Sequence, residues 1–301
     1  MRAHRASLTA LVVALLLLSG CSSAAAPSAR PAADAVRFAA YDFSENQILV
    51  AVYAEAVRRA GLPVSVQSGV ATREVVEPAL EQGVVDVVID YLGTAVSFVG
   101  RAAIAASRRP QQLRAQPSQL LAARGVSVLA PARAQDQNGF AVTTTFAAAH
   151  RIDRLSQLGA LSSHLTFGGP AECADRPFCL PGLRSAYGAT FREVRSMPSR
   201  SATVEALMSG QIDVGMLETT DARLALESVL LLQDDRTLQP NENVVPLVRS
   251  AAISRWGTRL RTALDAVSAR LTTADLVRLN KAVEVDGRTP AEAAVQWWAG
   301  N

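Results

Sequence analysis

A nine-residue pattern that occurs twice constrains the fold of this chain more than any other feature. Residues 79–87 and residues 206–214 both read Ala-Leu, two residues, Gly, two residues, Asp-Val. In each copy a helical pattern ends at a glycine, the residue that most readily adopts the left-handed conformation of a helix C-cap, and an apolar strand follows. The repeat therefore predicts two α/β units of similar design.

Strand and helix patterns alternate around both copies. In the first unit they predict strands at 36–40, 64–66 and 84–89, with one helix that begins at Ser44 as its N-cap and another over 72–82. In the second unit they predict strands at 140–143, 165–169 and 212–217 and a helix at 203–209. The last part shows a strand at 244–248 and helices at 260–271 and 273–282, which we expect to pack back on the first unit.

Strands separated by helices of this length indicate right-handed crossovers and a mostly parallel, doubly wound sheet in each unit. Ligands of open α/β sheets bind beyond the carboxyl ends of the strands. Two such units that face each other form a cleft. This logic places Tyr91, Thr94 and Glu218 in or near that cleft.

The first residues have the features of an export signal. Arg2 and Arg5 precede an apolar run at 8–18, which is too short to span a bilayer, and the run ends in Leu-Ser-Gly-Cys at 18–21. This ending resembles a bacterial lipobox, so we expect residues 1–20 to be a lipoprotein signal peptide and Cys21 to carry the lipid. An ordinary secretory signal is the alternative. Residues 21–35, rich in Ala, Ser and Pro, are predicted to be a flexible tether on the extracytoplasmic face of the cell membrane.

The remaining cysteines, Cys173 and Cys179, lie six residues apart in a chain that we expect to be exported. An oxidising compartment favours a disulfide between them. A metal site is disfavoured because no histidine lies between the two cysteines and no third thiol remains.

Charge and motifs argue against several function classes. The net charge is +3, but the basic residues are scattered and form no run of five or more, so nucleic-acid binding is not expected. No phosphate-binding loop, dinucleotide fingerprint or nucleophile elbow occurs, and we expect neither catalysis nor a cofactor. A serine hydrolase that uses Ser163 and His164 is the remote alternative.

Several segments resemble the substrate-binding proteins of osmoprotectant ABC importers. They are Phe-Ser-Glu-Asn-Gln-Ile-Leu at 43–49, Asp-Val-Val-Ile-Asp-Tyr-Leu-Gly-Thr at 86–94, Phe-Gly-Gly-Pro-Ala-Glu-Cys at 167–173, and segments at 176–183, 213–221, 232–235 and 243–248. They follow one another in the family's order over nearly the whole mature chain. The chain most resembles the ProX-type glycine betaine/choline-binding lipoproteins.

The resemblance implies a two-lobed periplasmic-binding-protein fold with two crossovers and a ligand cleft between the lobes. Lobe I would comprise 36–137 and 243–301, and lobe II 138–242. The expected ligand is a quaternary ammonium osmoprotectant, and the expected partners are an ABC permease and, through the lipid, the membrane. The protein is expected to act as a monomer.

Residue roles also follow from the resemblance. Tyr91 and Phe140 fall at positions of aromatic residues that surround the cation, Thr94 at a hydroxyl that binds the ligand carboxylate, and Arg176 near a carboxylate-binding arginine. Ser44, Asn46 and Thr219, which lie within the matching segments, complete the candidate ligand-binding set together with Tyr41 and Glu218.

Two positions depart from the family pattern. Tyr41 replaces a lysine that often binds the carboxylate, and Glu218 replaces an aromatic residue of the cage. Glu218 would attract a cation but repel a ligand carboxylate. The departures leave room for a choline-like cation or for a neutral polar, polyol or aromatic solute. A sensory receptor in place of a transport component is a separate alternative.

Overall fold

The computed structural model describes residues 34–70, 72–100 and 110–300. The predicted signal peptide at 1–20, the predicted lipidation site Cys21 and most of the predicted tether lie outside these residues. The described chain contains two five-stranded sheets, which define lobe I and lobe II. Among the described residues, no helix is both long enough and apolar enough to cross a bilayer.

The strands are named in chain order. They are β1 (Val36–Ala39), β2 (Val64–Gln67), β3 (Val87–Tyr91), β4 (Val126–Val128), β5 (Asn138–Thr143), β6 (Thr166–Gly169), β7 (Glu193–Ser196), β8 (Val214–Glu218), β9 (Val229–Leu231) and β10 (Val244–Arg249). The sheet of lobe I has the order β2-β1-β3-β10-β4, and that of lobe II has the order β7-β6-β8-β5-β9.

The helices are α1 (Ser44–Arg59), α2 (Arg73–Glu81), α3 (Leu92–Gly100), α4 (Pro110–Ala122), α5 (Thr144–His150), α6 (Leu155–Leu158), α7 (Leu180–Tyr187), α8 (Arg200–Met208), α9 (Ser250–Arg270), α10 (Thr273–Glu284) and α11 (Pro290–Ala299). Short 3-10 helices lie at Ser162–His164, Ala171–Ala174 and Ala222–Leu226. The prediction of Ser44 as an N-cap is wrong by one residue. Phe43, in extended conformation, occupies the N-cap position, and Ser44 is the first helical residue.

Both sheets are mixed, and they are mixed in the same way. In lobe I, β2, β1 and β3 are parallel, and β10 runs antiparallel to β3 and β4. In lobe II, β7, β6 and β8 are parallel, and β5 runs antiparallel to β8 and β9. The expectation of mostly parallel sheets is therefore wrong for these antiparallel pairs. β5 and β10 each follow a crossover segment that comes from the other lobe. The alternation of strands and helices in the sequence does not reveal the direction of these two strands.

The two copies of the repeat adopt the same helix ending. Gly83 and Gly210 have φ values of +76° and +69°, in the left-handed region that favours glycine. The residue after each glycine donates its backbone N–H to the carbonyl of Ala79 or Ala206, at 2.8 and 2.9 Å. The glycine thus reverses the chain so that the strand can enter the sheet beside its neighbour.

The aspartate of each copy then binds the neighbouring strand. The Asp86 carboxylate accepts the backbone N–H of Arg37 at 3.0 Å, and the Asp213 carboxylate accepts that of Thr166 at 2.7 Å. In return, the backbone N–H groups of Asp86 and Asp213 donate to the carbonyls of Arg37 and Thr166 at 2.8 and 2.9 Å. The repeated Asp therefore aligns β3 with β1 and β8 with β6.

Each lobe has its own apolar core. In lobe I, helices α9 to α11 pack on α1 and the sheet, and residues such as Leu264, Leu279 and Trp297 join Phe38 and Ile48 in one buried cluster. The C-terminal part therefore completes lobe I.

The core of lobe II includes Phe140 and Phe167, whose ring centroids lie 6.3 Å apart. Cys173 and Cys179, with Cα atoms 5.2 Å apart, form a disulfide beside this core. The bond closes the loop that leads from β6 to α7.

Replacing Asp213 with alanine should destabilise lobe II. The change leaves the N–H of Thr166, a residue only 3% exposed, without its acceptor, so we expect the free energy of unfolding to fall by about 1–3 kcal/mol. Urea unfolding followed by circular dichroism measures this loss. Asp153→Ala, at a side chain that is 67% exposed, is the control and should change the value by less than about 0.5 kcal/mol. Equal effects of the two substitutions would contradict the anchoring role of Asp213.

Candidate functional site

A cavity of about 540 Å³, called the first cavity, lies where β3 and β8 end. Tyr91 is the last residue of β3 and Glu218 is the last residue of β8. The first cavity is lined by Tyr91, Thr94 and Ser97 of lobe I, Asn138, Phe178 and Glu218 of lobe II, and Asp136, Gln137, Gln239, Pro240 and Glu242 near the crossovers. It therefore lies between the lobes.

The two crossover segments are hydrogen-bonded to each other beside this cavity. Gln135 and Asn243 form an antiparallel bridge, and the Gln137 side-chain amide donates to the Pro240 carbonyl at 2.6 Å. The backbone N–H of Asp136 donates to the Glu242 carbonyl at 3.2 Å. Asp136 and Glu242 are thus carried on paired segments, which fixes two carboxylates at the cavity wall.

Tyr91 presents an aromatic ring to the first cavity while its hydroxyl is held by a carboxylate. The hydroxyl donates to Glu45 Oε1 at 2.6 Å, and burial together with the nearby Glu45 raises the pKa of Tyr91 well above its usual value. The Phe178 ring also lines the first cavity, and it comes from lobe II. Each lobe therefore contributes an aromatic ring to the cavity.

Thr94 directs its donors at a carboxylate of the protein itself. Its backbone N–H and its hydroxyl donate to Glu242 at 2.9 and 3.0 Å. Gly93 permits this approach, because a Cβ at that position would lie 2.8 Å from the Glu242 carboxyl carbon and 2.7 Å from the Asn241 carbonyl oxygen. Burial raises the pKa of Glu242 to about 7, although the hydrogen bonds from Thr94 oppose the shift.

The other carboxylates at the cleft lie close together. Burial, followed by the neighbouring Glu45 and Glu218, raises the pKa of Asp136 well above its usual range. Burial also raises the pKa of Glu45, against the hydrogen bonds that it accepts. Glu218 differs because Arg200 forms an ion pair with it. None of the described residues that line the first cavity is basic, so its wall is acidic and contains no cationic side chain.

A second cavity of about 360 Å³ adjoins the first, and the two share Asp136 and Glu218. It is lined by Phe43, Ser44, Glu45, Asp136, Arg200, Glu218, Thr220, Asp221, Arg223, Asn280 and Glu284. The Phe43 ring lies 6.3 Å from the Tyr91 ring. Ser44, a predicted ligand-binding residue, thus lies at the second cavity.

Two predicted site residues lie behind the first cavity, inside lobe I. Asn46 is fully buried, accepts the backbone N–H of Tyr41 and donates to the Ile89 carbonyl, both at 2.8 Å. The Tyr41 hydroxyl donates to Asp90 at 3.2 Å, and the Arg73 guanidinium lies 5.0 Å from its ring centroid. These contacts hold the N-terminal end of α1 against the end of β3.

Three further predicted residues lie elsewhere in lobe II. Phe140 is 1% exposed in the core of the lobe, and Arg176 is 65% exposed and pairs with Glu172 at 3.5 Å. The Thr219 hydroxyl accepts the backbone N–H of Gln137 at 2.9 Å, which joins the end of β8 to a crossover. None of the three lines either cavity in the described structure, and their ligand contacts stay predictions.

The two residues of the serine-hydrolase alternative lie away from both cavities. Ser163 and His164 are exposed in a 3-10 helix of lobe II and line neither cavity. Within residues 34–70, 72–100 and 110–300, no cluster of three or more His, Cys, Asp or Glu side chains is arranged to hold a metal ion.

Comparison with known families identifies the chain. Residues 34–300 match the family described as the substrate binding domain of ABC-type glycine betaine transport systems. The protein belongs to this family. It is a family of transport substrate-binding domains, not of enzymes.

Two relatives and one solved structure show how far this similarity extends. The glycine-betaine-binding protein of Pseudomonas aeruginosa is 28% identical over 282 residues, which cover 88% of this chain and 87% of the relative. The carnitine transport binding protein OpuCC of Listeria monocytogenes is 24% identical over 287 residues, 92% of this chain and 89% of the relative.

The solved structure is the crystal structure of a glycine betaine/carnitine/choline ABC transporter protein. It superimposes with a TM-score of 0.81 at 20% identity over 88% of this chain and 98% of that chain. The predicted two-lobed periplasmic-binding-protein fold is confirmed.

The sequence-based predictions missed the acidic wall of this family member's cleft. Asp136 and Glu242 stand in loops without periodicity, and no motif marks them. A signal was nevertheless present, because the predicted lobe boundaries at 137/138 and 242/243 put both residues at crossovers. Polar residues at the crossovers were therefore candidates for the cleft, and Asp136 and Glu242 are among those that line it.

One buried carboxylate behind the site makes stability depend on pH. Glu77 is 2% exposed, and both of its carboxylate oxygens lack a hydrogen-bond partner within the described structure. Burial, with a contribution from Asp90, raises the pKa of Glu77 from 4.5 to about 8. The folded state therefore retains this proton at pH values where the unfolded state has lost it, and stability falls as the pH rises from about 4.5 to 8.

Glu77→Gln should remove this dependence. We expect the variant to gain stability over the natural protein as the pH rises from 5 to 8, by a few kcal/mol at the upper end, because glutamine keeps the volume and carries no proton to lose. Thermal unfolding across that range measures the difference. The exposed Glu205→Gln serves as control. A constant difference between Glu77→Gln and the natural protein would contradict the assignment.

Proposed function

We propose that this protein is the lipid-anchored, monomeric substrate-binding component of an ABC importer and that it binds a quaternary ammonium cation without a carboxylate, such as choline, in the first cavity. The observation that carries this proposal is the contact between Thr94 and Glu242. Family resemblance assigns the donors of Thr94 to the carboxylate of a betaine. Here a carboxylate of the protein already accepts both.

The charges around the first cavity support a cation without its own carboxylate. Asp136 and Glu242 line the wall, and no basic side chain lines it within the described residues. A betaine carboxylate placed there would be desolvated among acidic side chains with no basic partner in the wall, which costs several kcal/mol. Arg176, the expected partner for such a carboxylate, is exposed and pairs with Glu172.

The aromatic residues support the ammonium end of the ligand. Tyr91 and Phe178 line the first cavity from opposite lobes, and a trimethylammonium group between two ring faces gains cation–π attraction. The relatives named above bind glycine betaine or carnitine, both quaternary ammonium compounds. These names support a quaternary ammonium ligand for this chain, and the acidic wall favours one without a carboxylate.

Transport then follows from closure of the two lobes around the ligand. The crossovers between the sheets supply the hinge, and lobes of this kind close by rotation about such segments. A lipid at Cys21 would keep the binding protein at the membrane beside its permease. Binding energy, without any bond-making step, performs this function.

Choline should bind the mature protein, and Tyr91→Ala should weaken binding about five- to thirtyfold, because the loss of one cation–π contact costs about 1–2 kcal/mol. Calorimetric titration with choline, glycine betaine and carnitine measures the affinities. Phe146→Ala is the control. It removes a ring that lines neither of the two cavities and should leave the affinities unchanged.

Two results would contradict the proposal. One is the absence of binding by any quaternary ammonium compound at millimolar concentration. The other is tighter binding of glycine betaine than of choline, since the acidic wall predicts the opposite order.

The affinity for choline should rise with pH through about 7, the range in which Glu242 loses its proton. A bound cation favours the ionised carboxylate, so binding and deprotonation support each other, and a shift of one pKa unit corresponds to about tenfold in affinity. Titrations at pH 5.5, 7 and 8.5 test this dependence.

Glu242→Gln should bind choline more weakly at pH 8.5, lose most of the pH dependence and narrow the preference for choline over glycine betaine. Glu193→Gln, an exposed carboxyl on β7, is the matched control. An unchanged pH profile in Glu242→Gln would exclude Glu242 as the titrating group.

A further inference from the structure

Glu45 is a buried carboxylate that lines the second cavity and accepts the hydroxyl of Tyr91, which lines the first. None of the sequence patterns gave it a role. It is the second residue of α1 and is 7% exposed. One carboxylate oxygen accepts the Tyr91 hydroxyl at 2.6 Å, and the other accepts the Asn280 side-chain amide at 2.7 Å. Glu45 thus joins the end of β3 to α10 within lobe I.

Asn280 continues this connection into lobe II. The same amide nitrogen that donates to Glu45 also donates to the Thr220 carbonyl at 2.8 Å. Thr220 lies just beyond β8, and its hydroxyl donates to Asp136 at 2.9 Å. A continuous line of hydrogen bonds therefore runs from the Tyr91 ring, through Glu45 and Asn280, to the loop of lobe II that follows β8.

The orientation of Asn280 is well determined by its partners. A backbone carbonyl can only accept, and the side-chain nitrogen is the donor that reaches it. The side-chain oxygen of Asn280, a residue 4% exposed, has no hydrogen-bond partner within the described structure. The side-chain nitrogen of Asn280 therefore donates to both lobes, while its side-chain oxygen accepts no hydrogen bond within the described residues.

The ion pairs near Glu45 are formed by other side chains. The second cavity is lined by Asp136 of the crossover, by the ion pairs Arg200–Glu218 and Arg223–Asp221 of lobe II, and by Glu284 of α10. Within the described residues no ion pair includes Glu45. Three neutral donors hold its carboxylate, the Tyr91 hydroxyl, the Asn280 amide and the Thr220 hydroxyl, so the loss of any one leaves a buried charge less solvated.

We propose that Glu45 is a positioning residue that couples the Tyr91 ring to the contact between the lobes. The proposal rests on the proposed function, because it takes Tyr91 as a ligand-binding residue. A carboxylate suits the position, since both of its oxygens accept hydrogen bonds, one from the ligand-binding side and one from the interlobe side. The loss of the hydrogen bond on one side of Glu45 therefore alters the hydrogen bond on its other side.

The ligand-free protein provides a direct test. Hydrogen exchange of the backbone amides at 219–224, followed by mass spectrometry, reports local opening of the loop that Asn280 holds. Asn280→Ala and Glu45→Ala should each speed this exchange about tenfold, the factor that corresponds to 1.4 kcal/mol. Glu45→Gln retains an acceptor for Asn280 and should restore most of the protection.

The coupling itself is tested by Tyr91→Phe, which removes only the hydroxyl in lobe I. We expect it to speed exchange at 219–224, in lobe II, two- to fivefold in the natural protein and to have no further effect in Glu45→Ala, as double-mutant logic requires. Glu284→Gln is the matched control. It removes a carboxylate from the same cavity and the same helix as Asn280 and should leave the exchange unchanged.

Choline provides the second readout. Glu45→Ala should weaken choline binding about tenfold, and Glu45→Gln less than threefold. If the natural protein does not bind choline, the proposed ligand is wrong, whereas the exchange results still decide the coupling. Exchange at 219–224 that is unchanged by Tyr91→Phe, or equally fast with and without Glu45→Ala, overturns the inference.

Discussion

The hydrogen-bonded pairing of the two crossover segments is the constraint on which the rest of the structure depends. Because Gln135 and Asn243 form a bridge, the chain enters each lobe beside the point where it leaves the other. β5 and β10 consequently join their sheets antiparallel to β8 and β3. The same pairing places the carboxylates of Asp136 and Glu242 at the cavity wall. Topology and electrostatics of the cleft thus have a common origin.

Several carboxyl groups at the cleft are buried without a paired cation, which is energetically costly. Asp136, Glu45 and Glu242 all have raised pKa values, mainly because burial removes the water that would stabilise their charge. A cation that enters such a site offsets part of this cost at the moment of binding. In the proposed function, the free energy that closes the lobes comes from this offset as well as from contact with aromatic rings.

The sequence supported the framework better than the site. The repeated Asp and its glycine C-cap are local signals, and the structure shows the same hydrogen bonds in both copies. The direction of β5 and β10 could not be predicted, because crossover segments without a periodic pattern determine it. Short strands such as β7, four residues long and largely exposed, also lack a clear alternation.

The site was only partly predictable for a related reason. Topology alone predicted that the cleft contains Tyr91, Thr94 and Glu218, because they lie at or just after the ends of strands. Phe140 has the same sequence character as a cage residue, yet its position within β5 directs it into the core of lobe II. The acidic residues of the crossovers are brought in by tertiary pairing, which local patterns do not contain.

The repeat has one more consequence. Because Asp86 and Asp213 occupy equivalent positions, Tyr91 and Glu218 are equivalent as well. Each closes its strand five residues after the aspartate, and each pairs with the strand that arrives from the crossover, opposite Val244 and Asn138. The two residues thus stand at corresponding ends of equivalent strands, one in each lobe. At these equivalent positions lobe I supplies an aromatic residue and lobe II a carboxylate, so a repeated framework gives the cavity two chemically different walls.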